Sequence, residues 1–161
     1  MNIFILSTDP RECAQLHADQ HVGKMLVEAC QLLCDAHPDA PYRHTHVNHP
    51  CAVWARSSLG RYCWLAQLAI ELSDEWEYRF GKRHASRDVA EWALDAPEHM
   101  LLMSPEIEPF AQAMPQHYRA SSAVAAYRAY YAAEKRVLLG APAKWTKRAT
   151  PAWFSAASAL T

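Results

Sequence analysis

Residues 9–37, DPRECAQLHADQHVGKMLVEACQLLCDAH, decide the fold. Asp9 is a good helix N-cap, Pro10 suits the first helical position, and Glu12 at the third completes a capping-box pattern. The pattern predicts one helix from Pro10 to about His37, ended by Pro38 and Pro41. His17, His21, Lys24, Glu28, Gln31 and Asp35 follow one another at spacings of 4, 3, 4, 3 and 4, so they form one stripe on that helix. The remainder is mostly apolar: Leu16, Val22, Met25, Leu26, Ala29, Leu32 and Leu33. Such a stripe is either the wet side of the helix or one wall of a polar pocket.

The elements that follow are also helical. Tyr42–His49 crosses to a helix beginning near Pro50, which breaks around Ser57–Gly60, resumes over Tyr62–Phe80 and stops at Gly81. Ser86 caps a third helix, Arg87–Asp95. Residues 97–120 form a long loop with four prolines between Pro97 and Pro115, and one helical turn is expected at Pro109–Met114. A further helix, Ser121–Leu139, closes at Gly140, and the basic, aromatic tail 141–161 carries a last short helix after Pro151. Only Asn2–Leu6 reads as a candidate strand. The expected fold is an all-α, single-domain bundle of about four to six helices with a long Pro-rich loop.

The 161 residues suffice for one domain with a real core. A hydrophobic share of 51% with 20% charged residues is the balance of a folded globular chain. The net charge of −1 excludes strong whole-body attraction to nucleic acid or anionic lipid, so any such binding needs a local patch. Nine histidines make the charge pH-sensitive below about 6.5. Five cysteines, odd in number and without a C-x-x-C pair, read as reduced thiols of a cytoplasmic protein. No signal peptide or membrane span is read from the sequence.

Three constellations carry chemistry. The stripe offers an amine, a carboxylate and two imidazoles, and His44, His46, Asn48 and His49 stand close together just before Pro50. A metal site would use His17 and His21 at i, i+4 with His44, His46 or His49 as further ligands. The tail presents Lys144-Trp145-Thr146-Lys147-Arg148 and Trp153-Phe154, cations among aromatics that suit a nucleic-acid backbone. Arg79, Lys82, Arg83 and Arg87 form a second basic cluster. Tyr127, Tyr130, Tyr131, Trp54, Trp64 and Trp76 read as core, and no phosphate loop or nucleophile-elbow motif is present.

Ala18-Asp19-Gln20-His21, with Glu28 seven residues after the histidine, resembles the first helix of the endonuclease V type of pyrimidine-dimer DNA glycosylase/AP lyase. Arg61-Tyr62-Cys63-Trp64-Leu65 and the helix running to Arg79 and Gly81 loosely follow that family's second long helix. The resemblance implies a small all-α fold, an amine that attacks the sugar C1′ to form a Schiff base, and Glu28 as the catalytic glutamate. The family's nucleophile is the α-amine of its second residue, freed when the initiator Met is removed. Here Asn2 is bulky enough to retain Met1, which leaves the Met1 amine or Lys24 as nucleophile. The family's arginines beside the glutamate are absent, and Val27 and Gln31 stand nearby. The chain is also similar to an uncharacterised, largely phage-encoded group, through His21-Val22, Lys24-Met25, Glu28, Asn48-His49-Pro50-Cys51-Ala52, Trp54 and Lys144–Arg148.

The expected activity is a DNA glycosylase/AP lyase without cofactor. Met1 or Lys24 attacks and Glu28 serves as general acid/base. His21, His46, Asn48 and His49 position base or phosphate, and Lys144, Trp145, Lys147 and Arg148 hold the backbone. Two alternatives stay open: a phosphohydrolase using a divalent metal on His17, His21, His46 and His49, and a non-catalytic phage or host binding protein. DNA is the expected partner, no membrane is, and the oligomeric state is left open.

Overall fold

The structure, a computed structural model, describes residues 1–156. It is all-α apart from one short hairpin: α1 (Pro10–Leu16), α2 (Asp19–Cys34), α3 (Pro50–Ala55), α4 (Leu59–Phe80), α5 (Arg87–Trp92), α6 (Ala123–Glu134), β1 (Val137–Leu138), β2 (Ala141–Pro142) and α7 (Ala152–Ala156). α2 and α4 pack together at the centre, α1 lies on α4, and α6 carries α7. None of the described helices is long and apolar enough to cross a membrane.

The predicted first helix is two helices. Asp9 caps α1 as expected, accepting the Glu12 N–H at 2.7 Å, but the Glu12 carboxylate takes the Ser7 hydroxyl instead of closing the capping box. At His17 and Ala18 the backbone turns extended, and α2 starts at Asp19. Distant groups satisfy the polar atoms that the break exposes. Arg79 donates to the carbonyls of Gln15 and His17 at 2.9 Å each, and Trp145 donates to the Leu16 carbonyl at 2.9 Å. The Ala18 N–H donates to the Tyr131 hydroxyl at 3.1 Å. Arg79 is itself fully buried and paired with Asp19 and Glu75, so one guanidinium holds two helices at their junction. Burial alone would raise the Glu75 pKa, but hydrogen bonds from Arg148 and Arg79 outweigh it and hold the carboxyl below its ordinary range.

Asn2–Leu6 is not a strand. Ile3, Phe4, Ile5 and Leu6 are each 5% exposed or less, and they thread the core as irregular backbone with Phe4 at φ 54°. Burying four such side chains favours the fold by about 1.5–3 kcal/mol each, as an upper estimate. Side chains take the place of a strand partner: Asn2 Oδ1 accepts from the N–H groups of Ile3 (2.8 Å) and Phe4 (3.4 Å), and Arg128 Nε donates to the Leu6 carbonyl at 2.8 Å.

Other boundaries also move. The interruption falls at Arg56–Ser58, where Ser58 caps α4 through the Arg61 N–H, and Gly81 at φ 67° ends that helix as expected. Ser86 does not cap α5; its hydroxyl accepts from Tyr42. α5 ends at Trp92, short of Asp95. The loop turns helically at Glu98–Met100 and Gln116–Tyr118, not at Pro109–Met114. α6 stops at Glu134, because residues 137–142 form the hairpin that was read as the end of the helix. Cys13, Cys30, Cys34 and Cys51 are buried free thiols, and Cys63 is an exposed one. Burial pushes Cys13 to about 11 and Cys30 and Cys51 to about 12, which makes them poor nucleophiles.

Candidate active site

The threaded N-terminus delivers two nitrogens to one carboxylate. The Asn2 amide donates to Glu28 Oε2 at 2.7 Å, and the Met1 amine lies 3.7 Å from the same oxygen. Lys24, one turn back on α2, brings Nζ to 3.8 Å from Oε1. Glu28 is 13% exposed, so these groups meet a carboxylate that water barely reaches.

Asn2 fixes this geometry. Its side chain donates to the Ala113 carbonyl at 2.8 Å and accepts the Tyr127 hydroxyl at 3.0 Å. Tyr127 also receives the Ala113 N–H at 3.1 Å, which ties the N-terminus to α6 and to the Pro-rich loop. Sequence reasoning treated Asn2 only as a bulky second residue. Its Asx-turn chemistry, two residues ahead of a buried apolar run, was the signal for this role.

The His44–His49 turn converges on α2 from the other side. Asp35 Oδ1 accepts the Thr45 N–H at 3.0 Å, which pins the turn to the end of α2. His49 caps α3, its Nδ1 accepting the Cys51 N–H at 3.2 Å, so the neutral ring carries its proton on Nε2. Burial lowers the His49 pKa, helped by the positive Met1 amine and by His46 and opposed by Glu28. His46, at φ 54°, is exposed and shares a 2.7 Å hydrogen bond with Thr45; Asn48 is exposed beside it.

His17 and His21 correct the stripe. His17 is fully buried with Nδ1 2.7 Å from the Cys13 carbonyl, and His21 is 4% exposed, stacked 5.1 Å from Phe4 and edge-on to Tyr131. Burial pushes His17 down to about 4 and His21 to about 3, so both are neutral core rings. Both imidazoles lie in the core. Among the described residues no three His, Cys, Asp or Glu side chains come together to hold a metal ion, so His17, His21, His46 and His49 do not form the ligand cage of the hydrolase alternative.

The tail motif is corrected as well. Trp145 is 6% exposed in the core, Arg148 makes a two-pronged pair with Glu75 at 3.0 and 2.8 Å, and Lys147 Nζ donates to the Tyr78 carbonyl at 2.7 Å. Trp145 and, through Glu75 and Arg79, Arg148 close the α1–α2 junction, and Lys147 ties the tail to α4. Lys144 keeps an exposed side chain, while its carbonyl accepts the Asp19 N–H at 2.7 Å.

Fold and site together define a helical protein that brings chain-terminal and lysine amines to a nearly buried glutamate. The family model for pyrimidine dimer DNA glycosylase matches residues 1–88, more than half of the 161-residue chain, and the chain belongs to that family. No curated protein and no solved structure matches it. Its function is accordingly of the DNA glycosylase type, with DNA as substrate. Met1, Asn2, Lys24, Glu28, His49 and Arg79 all lie within the matched residues; Tyr127, Tyr131 and Trp145 lie beyond them.

Proposed function

We propose that the protein is a DNA glycosylase with AP-lyase chemistry, in which the Met1 amine attacks C1′ of a damaged nucleotide and Glu28 moves the protons. The observation that supports this reading is the meeting of Met1 and Asn2 nitrogens on Glu28 Oε2, at 3.7 and 2.7 Å. The amine nitrogen forms a bond to C1′ as the bond from C1′ to the base breaks, and the base leaves with that electron pair and takes up a proton. Glu28 accepts the proton that the attacking nitrogen sheds. It then returns a proton to O4′ as the C1′–O4′ bond opens to the iminium. The Glu28 carboxylate offsets the positive charge on the sugar. Loss of a C2′ proton from the iminium then expels the 3′ phosphate.

Met1 is preferred to Lys24 because it is partly buried against Glu28, whereas the Lys24 side chain is 53% exposed and reaches into water. His49, which feels the charge of the Met1 amine, is the group that positions base or phosphate, together with His46 and Asn48; Lys144 is a backbone contact.

Borohydride trapping on a duplex with one abasic site tests this reading. Wild type and Lys24→Ala should give a covalent band, whereas Glu28→Gln and an N-terminally extended form should not. Mass spectrometry of the trapped peptide identifies the nitrogen, including that of Asn2 should Met1 have been removed. A band lost only in Lys24→Ala transfers the nucleophile to Lys24. No band from any folded form would sink the proposal.

A further inference from the structure

The β1–β2 hairpin places a large apolar residue where a turn is least suited to hold one. Leu138 pairs with Ala141, which leaves Leu139 and Gly140 as a two-residue loop with φ of 52° and 78°. Both residues are left-handed, the geometry of a type I′ turn, where Asn, Asp or Gly is the favoured first residue. Leucine there carries backbone strain and gains nothing from burial, since Leu139 is 82% exposed and Val137 is 64% exposed. Neither feature serves the stability of the fold.

The hairpin is fixed to the catalytic helix. Gln20 Nε2 donates to the Pro142 carbonyl at 2.8 Å, and the Lys144 carbonyl accepts from Asp19. Leu139 lines a groove of about 490 Å³ with Gly23, Lys24, Val27, Trp76 and Phe80, and Val27 is the residue before Glu28. Two lysines mark this face: Lys24 lines the groove and Lys82 Nζ stands 5.7 Å from the Trp76 ring. Asp19, the carboxylate in the groove, is neutralised by Arg79 at 2.9 Å. Phosphates on either side of an inserted side chain would meet cations.

We propose that the hairpin is a DNA wedge, with Leu139 entering the base stack and opening the duplex toward Glu28. Apolar side chains inserted at a base step unstack and kink duplex DNA in just this manner. The inference rests on the protein's acting on DNA and is independent of which amine reacts. Leu139 is thus a positioning residue that acts through the DNA.

The test uses a duplex with 2-aminopurine beside an abasic site, which brightens when unstacked. Wild type should brighten it, and Leu139→Asn should cut the gain to about one tenth while binding single-stranded DNA as before. Asparagine suits the left-handed turn, so this variant should melt no lower than wild type, which separates loss of the wedge from loss of the fold. Equal brightening by both proteins, a bound wild type that leaves the probe dark, or no duplex binding at all would each overturn the wedge. Brightening that depends on Leu139 without any borohydride adduct would keep the wedge and reject the amine chemistry.

Discussion

Asp19 and Glu28 stand on the same helix, nine residues apart, and their side chains are almost equally exposed, at 12% and 13%. Their surroundings differ completely. Asp19 accepts Arg79 at 2.9 Å, the Thr146 N–H at 2.8 Å and the Thr146 hydroxyl at 2.6 Å, which fills most of its acceptor capacity. Glu28 accepts one hydrogen bond, from Asn2, while two amines wait beyond hydrogen-bond distance at 3.7 and 3.8 Å. Burial alone therefore does not separate a carboxylate locked in a structural network from the one to which we assign proton transfer. Unused acceptor capacity beside the proposed nucleophile does. The start and the middle of α2 divide the work: one locks helices together and the other receives the chain terminus.

The comparison breaks most sharply at Glu28. Glu28→Gln keeps an oxygen for the Asn2 N–H but cannot move a proton, so strand cleavage at an abasic site should fall by about 10²–10⁴-fold with little change in the unfolding midpoint. A cleavage assay beside a urea melt checks both, and wild-type cleavage by the variant would return Glu28 to a merely structural place.

At the N-terminal end of α2, Arg79→Met should act on stability. It takes the buried guanidinium from Glu75 and Asp19, which keep Arg148 and Thr146, and leaves the carbonyls of Gln15 and His17 without their donor, at a cost of about 3–5 kcal/mol. Urea unfolding measures the loss; a change under about 1 kcal/mol would mean that the junction holds without its guanidinium.

The smallest effect sharpens the same contrast through pH. His17 and His21 are neutral in the fold, at about 4 and about 3, against an ordinary value of 6.5 when unfolded. The unfolded chain thus binds protons that the fold refuses, and stability is complete above pH 6.5 and falls as pH drops toward those values. By pH 5 each ring should remove about 2 kcal/mol. His21→Phe, which retains the stack on Phe4, should flatten part of that slope in urea melts at pH 7.5 and 5; a midpoint unchanged between those pH values would contradict the neutral-core assignment.

Much of this was legible in the chain itself. The Asp9 cap, Pro10, the Gly81 stop and the apolar spacing set the helical class, because each acts within a turn or two of sequence. Glu28 was legible as a candidate, since its spacing from Asp19-Gln20-His21 is a local pattern. His17 left that pattern because the chain breaks at His17–Ala18 and loses register with Lys24, whereas His21 keeps its place on α2 but is covered by Phe4 and Tyr131. The break itself has no local cause. Its partners Arg79, Tyr131 and Trp145 come from 62, 113 and 129 residues away, and only a folded chain brings those donors and acceptors to the open helix ends. The same holds for the N-terminus. Asn2 has the chemistry of a turn in any context, but tertiary packing against Tyr127 and Ala113 decides that the turn delivers its nitrogen to Glu28. Sequence determined which groups could react and which segments were helical, because both depend on side-chain type and short-range spacing. Tertiary structure decided which of them meet and which are sealed in the core, because burial and pairing of a polar group depend on atoms distant along the chain.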